Sequence, residues 1–477
     1  MSIELLEEIE NWKLEAKLED NERYFYHTRI VHKILKGQKL YVVGRKGTGK
    51  TAISEYLNSI SEPNYFAQKL TFKNFPFNKL YELKDKGFTA PNQYITLWKY
   101  VIYSTVCQLM KNNPSIDLDS RDKLRDIFND DIENALPNAV ERWTGFKFDL
   151  KILGSGIGFG NNKETVEFDG DNWIKRVDIL ERFLFNQIGV DKYLIMFDEL
   201  DEDYKDIVAL EKYNQYTELL TSLFKAVQDI RARFKDHKFF PVIFIRDDIY
   251  DIMQDPDKTK WIDYKVDLDW DEASIKNLLA FRIARAIDPN AKPQNFDRVW
   301  SQLFIRGLVK YGHKQLRGMP PFEYITRSSL LRPRDYIRFL QVCAGIALEN
   351  NSLMIKPDYL NESDKSFSNY LRSELEDEIH GIIPDIHRIL DIFTILRKQT
   401  LKIEEFKVEF DNAVNQGLIK TRDYQFVLQM LFHFSVIGNQ PKQASHQVFR
   451  YKNKEARLNM KENIIVHRGL FRSLQIL

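Results

Sequence analysis

The chain has 477 residues, room for two or three domains, and its 43% hydrophobic and 13% aromatic content supports a real core and excludes a disordered protein. Seventy Lys and Arg against 69 Asp and Glu leave a net charge of +1, so any basic surface must be local and no global field draws the chain to nucleic acid or an anionic membrane. Cys107 and Cys343, the only cysteines, have no metal-binding spacing and read as buried thiols in a reducing compartment. No apolar run reaches the ~18 residues needed to cross a bilayer. The acidic start, Met1 to Glu8, argues against a targeting peptide, and a cytoplasmic protein without membrane contact is expected.

Residues 1–35 read as an N-terminal helical segment. Lys39-Leu40-Tyr41-Val42-Val43 is an apolar strand, and it runs into Gly44-Arg45-Lys46-Gly47-Thr48-Gly49-Lys50-Thr51. This is G-x-x-x-x-G-K-T, the phosphate-binding P-loop, in the strand–loop–helix context that gives it meaning. Its backbone N–H groups can cradle the phosphates of ATP. Lys50 brings a point charge to the same oxygens, and Thr51 offers a hydroxyl to Mg²⁺. The helix over 50–60 turns its positive N-terminal end to the phosphates.

A strand near Phe66–Phe72 and a long apolar helix from Pro91 to Met110 follow. The stretch at about 112–172 reads as an insertion. Within it Phe146 to Ile152 alternates as a half-buried strand. Gly154, Gly156, Gly158 and Gly160 then share one strand face, which suits a hairpin packed on a neighbour, or else a second anion loop. Trp173 to Ile188 is a helix. Lys192 to Phe197 is an unbroken apolar strand, as in a parallel sheet covered on both faces. It ends in Asp198-Glu199, a Walker B pair. Asp198 would hold Mg²⁺ with Thr51, and Glu199 would orient and deprotonate the attacking water. Asp201, Glu202 and Asp203 read as a solvated loop.

A helix over Tyr213–Phe234 and a buried strand over Phe239–Ile245 continue the βα alternation. Arg246 follows the strand end, where it can pair with Asp247 or Asp248 or, as the resemblance given below implies, act as a catalytic group at the γ-phosphate. The fold class expected is α/β: a doubly wound parallel-sheet P-loop NTPase core over 36–270. A helical lid over 271–384 follows, with helices at Asp271–Ala286, Asn295–Lys310 and Pro333–Glu349. A winged-helix-like domain over 385–477 closes the chain. Its helices are expected at Pro384–Lys398, Lys402–Gln416 and Thr421–Val436, with Ile437-Gly438-Asn439 as the last C-cap. Two wing strands are expected, at Gln447–Lys452 and Asn463–His467. Over 421–477 nine Lys and Arg face three Asp and Glu, a local excess that can meet DNA phosphates or a protein surface.

The order GRKGTGKT, LIMFDELD, FIRDDIYDIM and Leu331-Arg332-Pro333-Arg334 resembles AAA+/STAND-type P-loop ATPases. The closest likeness is to bacterial ATPases with an origin-recognition-like layout and a C-terminal winged helix. The resemblance implies a sensor 1 role for Arg246. It implies a lid sensor 2 role for Arg334, with Arg332 next. ATP and Mg²⁺ are the implied cofactors. The chain departs from the pattern where an arginine finger belongs: Asp257-Lys258-Thr259-Lys260 offers only lysines, and Lys260 lacks the bidentate fork.

The function expected is an ATP-hydrolysing switch or assembly factor, with bacterial antiviral defence as the setting the resemblance implies. The alternatives are a nucleotide-gated scaffold that recruits an effector, and a DNA-binding replication or repair ATPase. The expected partner is a second copy of the chain or an effector protein, with DNA at the C-terminal domain.

Overall fold

The computed structural model describes residues 3–72, 80–81, 92–128, 139, 173–201, 210–441 and 446–476. The alternating strand at 146–152, the glycine run at 154–160, and Glu202 and Asp203 lie outside the described residues.

Five parallel strands form the core sheet: β1 Tyr41–Val43, β2 Tyr65–Thr71, β3 Lys192–Asp198, β4 Phe239–Ile245 and β5 Lys265–Asp267. Their order is β2-β3-β4-β1-β5. Tyr41 registers with Ile243 on one side and Lys265 on the other, which places β1 inside the sheet. Leu194 to Phe197 is wholly buried, as the uninterrupted apolar run requires. Parallel pairing forces each connection to cross over the sheet, and helices make the crossings. Lys50–Ser59, Ile95–Met110 and Leu210–Arg233 are three of these helices. The Trp98 indole N–H donates to the Leu219 carbonyl at 2.9 Å and ties two of them together. All five strands point the same way, so β1, β3 and β4 deliver the P-loop, Asp198 and Arg246 to one edge.

Two hydrophobic cores organise the rest. One holds the sheet and its helices, and takes in Phe25, Val31 and Ile34 from the N-terminal segment. The other runs through the lid and the C-terminal unit without a break, and takes in Leu5, Leu6, Ile9 and Trp12. The N-terminal segment therefore packs on both. Cys107 and Cys343 are buried free thiols, one in each core.

The lid helices are Glu272–Ile287, Phe296–Leu303, Pro321–Ser328, Pro333–Glu349 and Pro357–Ile379. The first is capped by Asp271, whose carboxylate accepts from the Ser274 N–H at 2.7 Å. The helix expected over Asn295–Lys310 stops at Leu303. Phe304 bridges to Ile355, Gly307 takes φ +159°, and the chain enters a hairpin of β6 Val309–Tyr311 and β7 Arg317–Met319. Gly312, at φ +77°, supports its turn.

The C-terminal unit has helices Ile386–Leu396, Ile403–Asn415 and Tyr424–His433. Its antiparallel sheet has the order β8-β10-β9, with β8 Thr400–Leu401, β9 Ile437–Gln440 and β10 Asn463–Val466. Three expectations are corrected here. The third helix ends at His433, Ser435 just beyond it takes φ +61°, and Ile437-Gly438-Asn439 is strand and not a cap. Gln447–Lys452 is reduced to a single bridge, Val448 to Asn439. Gly438 is needed for that close approach, because a Cβ there would lie 2.7 Å from the Val448 carbonyl oxygen. The short strand β8 carried no apolar run long enough to read.

Candidate nucleotide site

The loop after β1 is shaped by its own glycines. Gly47 and Gly49 take φ of +80° and +100°, conformations that favour glycine. The Thr48 hydroxyl donates to the Arg45 carbonyl at 2.8 Å, and the Trp270 indole N–H donates to the Thr48 carbonyl at 2.9 Å. Lys50 folds back over the loop. Its ammonium donates to the carbonyls of Gly44 and Arg45 at 2.7 and 3.0 Å. Burial lowers its pKa, against the pull of the Asp201 and Asp247 carboxylates, so a phosphate arriving there would relieve a desolvated cation.

At the end of β3 the Asp198 carboxylate accepts from the Ser54 hydroxyl at 2.7 Å, and the Ser54 hydroxyl also reaches the Thr51 carbonyl at 3.0 Å. Ser54 thus bridges the two positions expected to serve a metal. Burial raises the Asp198 pKa, with Ser54 and the Lys69 charge opposing. Among the described residues no cluster of three or more His, Cys, Asp or Glu forms a metal cage. Mg²⁺ does not need one, since it is held by one or two carboxylates, waters and substrate phosphates. A buried carboxylate tied through Ser54 to the helical turn that carries Thr51 fits that role.

Glu199 sits at φ +60°, a strained conformation for a non-glycine residue. Its carboxylate accepts from the Lys17 ammonium at 2.7 Å and from the Thr71 hydroxyl on β2. Its own N–H donates to Asp198 at 3.0 Å. The catalytic candidate is therefore held from the N-terminal segment and from the neighbouring strand.

Arg246 takes the first of the two arrangements left open by the sequence. Its guanidinium makes a fork to Asp248, with contacts of 2.9 and 2.7 Å, and reaches Asp201 at 3.4 Å. Burial opposes its charge, but these carboxylates hold its pKa well above the usual value. It still lines the cleft, so the pairing fixes it at the site.

The lid contributes two arginines. Arg332 is fully buried, forks onto Asp335, meets Glu378 at 2.6 Å and donates to the Lys46 carbonyl at 3.2 Å. Burial alone would raise the Glu378 carboxyl, but Arg332, Arg246 and Lys46 beside it hold it below its usual range. Arg334 pairs with Glu374 at 3.0 Å, and Glu374 also meets Lys46 at 3.7 Å. Gly47 is pressed against this helix: a Cβ there would lie 3.3 Å from the Arg334 Cβ. Arg45 turns to the lid, with its guanidinium 3.4 Å from the Leu330 carbonyl oxygen.

These elements enclose a cleft of about 580 Å³, within the usual range for a ligand site. Lys46 to Thr51, Asp198, Glu199, Arg246 and Arg334 all line it. Gly44 and Arg45 do not, since one closes the strand end and the other faces the lid. Lys17, Thr71, Ser54, Trp270, Glu374 and Glu378 were not singled out from the sequence, because no local motif marks a partner supplied by a distant segment. Lys260 lies on the surface, paired with Asp257 at 2.6 Å.

The C-terminal unit also reaches the core. Arg450 meets Asp251 at 2.6 Å, and Lys454 meets Asp269 and Asp267 at 2.6 and 3.2 Å. Two of the cations expected to face DNA are engaged by carboxylates of the core in this conformation.

A domain family described as the FunZ-associated C-terminal helical domain matches residues 273–376, the lid. No curated protein matches the chain. Among solved structures, the Aeropyrum pernix ORC2 protein in its ADPNP-ADP complexes is 11% identical, with 94% of this chain and 89% of that one covered and a TM-score of 0.42. The Aeropyrum pernix ORC1 protein in complex with DNA is 10% identical, with coverages of 97% and 96% and a TM-score of 0.39. Cdc6p from Pyrobaculum aerophilum is 11% identical, with coverages of 95% and 93% and a TM-score of 0.34. The chain's own strand order, loop and lid define it as a parallel-sheet P-loop domain followed by a helical lid and a winged-helix-like C-terminal unit.

Proposed function

We propose that the protein is a Mg-ATP-dependent ATPase whose nucleotide state switches the contacts of its lid and C-terminal unit. One observation carries the reading: the P-loop, the Asp198–Glu199 pair and Arg334 line a single cleft at the carboxyl edge of the sheet. Lys50, the loop N–H groups and Arg334 would bind phosphates. Thr51 and Asp198 would hold the metal, which supplies charge neutralisation at the phosphates when bound. Glu199 would orient and deprotonate water, and Arg246 would act on developing charge beside it.

The switch reading rests on the lid's direct grip on the loop. Arg332 reaches the Lys46 carbonyl and Glu374 reaches Lys46, so a loop that closes on phosphates pulls on the lid. The clasp from Arg450 and Lys454 extends this to the C-terminal unit through Asp267 and Asp269, next to Trp270. Reversing both charges, Arg450→Glu with Lys454→Glu, should loosen the C-terminal unit from the P-loop core while the shared apolar core keeps it on the lid, and should raise amide exchange around Asp251 and Asp267. Unchanged exchange at both segments would contradict the clasp. The setting in bacterial antiviral defence is carried by the sequence resemblance alone.

The second reading is a nucleotide-gated scaffold whose output is a bound effector or a homo-oligomer. It is favoured by the hold of Lys17 and Thr71 on Glu199, which keeps the base occupied. Multiple-turnover phosphate release decides between them: steady turnover supports the ATPase, and a single slow turnover supports the scaffold.

A further inference from the structure

We infer that the lid hairpin β6–β7 is a docking surface for B-form duplex DNA. This goes beyond the nucleotide reading and does not depend on it. Between Phe304 and Met319 there are four Lys and Arg, namely Arg306, Lys310, Lys314 and Arg317, and no Asp or Glu. All four are exposed. No side chain among them makes a hydrogen bond or ion pair with the described residues. The acid-free run stands out in a chain whose net charge is only +1. It also differs from the C-terminal unit, where Arg450, Lys454 and Arg468 all meet carboxylates.

The hairpin is anchored from beneath, which leaves its outer face free. Val309 pairs with Met319 and is buried, and Arg327 covers the Tyr311 ring at 4.2 Å. The Asn361 amide on the helix below donates to the Lys310 carbonyl at 3.1 Å. Asp358 and Glu362, which flank Asn361 on that helix, make no ion pair with the hairpin's cations among the described residues. On the outer face Lys310 stands opposite Gly318, with Leu308 at 50% and Leu316 at 80% exposure beside it. Leu308 lies over Gly318, whose Cβ would come within 3.0 Å of it. The result is a narrow two-stranded ribbon with Lys310 on its outer face, Lys314 at its tip, and Arg317, opposite Tyr311, exposed at the edge of the anchored face.

Phosphate backbone is the complement of such a surface, since Lys and Arg release its condensed counterions. A two-stranded ribbon fits the major groove of B-DNA, whereas the deep, narrow major groove of A-form RNA does not admit it. Insertion into a membrane surface calls for a broad apolar face, commonly with Trp or Phe, and two leucines do not make one.

The test is fluorescence anisotropy of a labelled random-sequence DNA duplex with the full chain, without nucleotide, across a salt series. Four phosphate contacts predict a log–log slope of about −3.6, a loss of affinity of roughly a hundredfold between about 50 and 200 mM salt. The variant Arg306→Ala, Lys310→Ala, Lys314→Ala, Arg317→Ala should lose most of this binding and its salt slope. A charge-matched variant, Lys420→Ala, Arg422→Ala, Arg457→Ala, Lys461→Ala, removes exposed cations of the C-terminal unit and should bind as the parent does. Because these positions are exposed, both variants should keep the parent's melting temperature. Lys50→Ala should also bind DNA normally, which separates this inference from the nucleotide reading. No salt-dependent DNA binding by the parent overturns the proposal. So does equal binding by the hairpin variant, or a preference for duplex RNA, anionic vesicles or an acidic polypeptide over DNA.

Discussion

Glu199→Gln should bind ATP as the parent chain does and hydrolyse it at least about a hundredfold more slowly, the lower end of what a positioned general base contributes. Gln keeps the length and shape of Glu but cannot take a proton from water. Asp198→Asn should behave differently. Its carboxylate is buried against Ser54, one turn from Thr51, so its loss should weaken Mg²⁺-dependent ATP affinity first. The two carboxylates are adjacent in sequence and separate in role, because Asp198 points into the site beside the loop helix while Glu199 is turned by its φ of +60° towards Lys17 and Thr71. Calorimetric ATP affinity and steady-state phosphate release, measured with and without Mg²⁺, distinguish the pair. Hydrolysis by Glu199→Gln at the parent rate would remove the base assignment.

The second large effect is expected at Arg332. This side chain is fully buried and neutralises Asp335 and Glu378. Truncation to Ala leaves both carboxylates without their partner in a dry site, a change that costs about 3–5 kcal/mol. It also removes the donor to the Lys46 carbonyl, so the loop loses one of its ties to the lid. Arg332→Ala should therefore shift the denaturant midpoint sharply downward. Arg332→Lys should recover only part of the loss, since an ammonium cannot fork onto Asp335 and reach Glu378 together. A change under about 1 kcal/mol would mean that the buried network is not what holds the lid on the loop.

Much of this was legible in the sequence because the motifs are local. The P-loop needs glycines at fixed spacing, and Gly49 of that pattern, with Gly47 inside the loop, takes a positive φ. The strands β3 and β4 are continuous apolar runs because both faces are covered, and their ends announce Asp198 and Arg246. What was not legible depends on contacts between distant segments. Arg246 had two possible partners in the sequence, and the buried Asp248 beside it took the guanidinium. The Lys17–Glu199 contact joins residues 182 positions apart, and no periodicity marks it. Ser435, just past the helix end, takes positive φ without the Gly or Asn that usually signals such an end, so the apolar spacing runs past the helix and Gly438-Asn439 in β9 mimics a cap. The basic excess of the C-terminal unit was visible as a count. Which of its charges face solvent is a tertiary property, and Asp251, Asp267 and Asp269 decide it.

Isothermal titration of ATP into the parent chain and into Lys50→Ala, with Mg²⁺ present, addresses the central claim most directly. Lys50 is the cation of the loop, held in place by the Gly44 and Arg45 carbonyls and desolvated by burial. The parent should bind ATP, and Lys50→Ala should bind at least about tenfold more weakly, a loss of about 1.4 kcal/mol or more. Equal affinity in the two proteins, or no ATP binding by the parent, would contradict the assignment of this cleft as a nucleotide site.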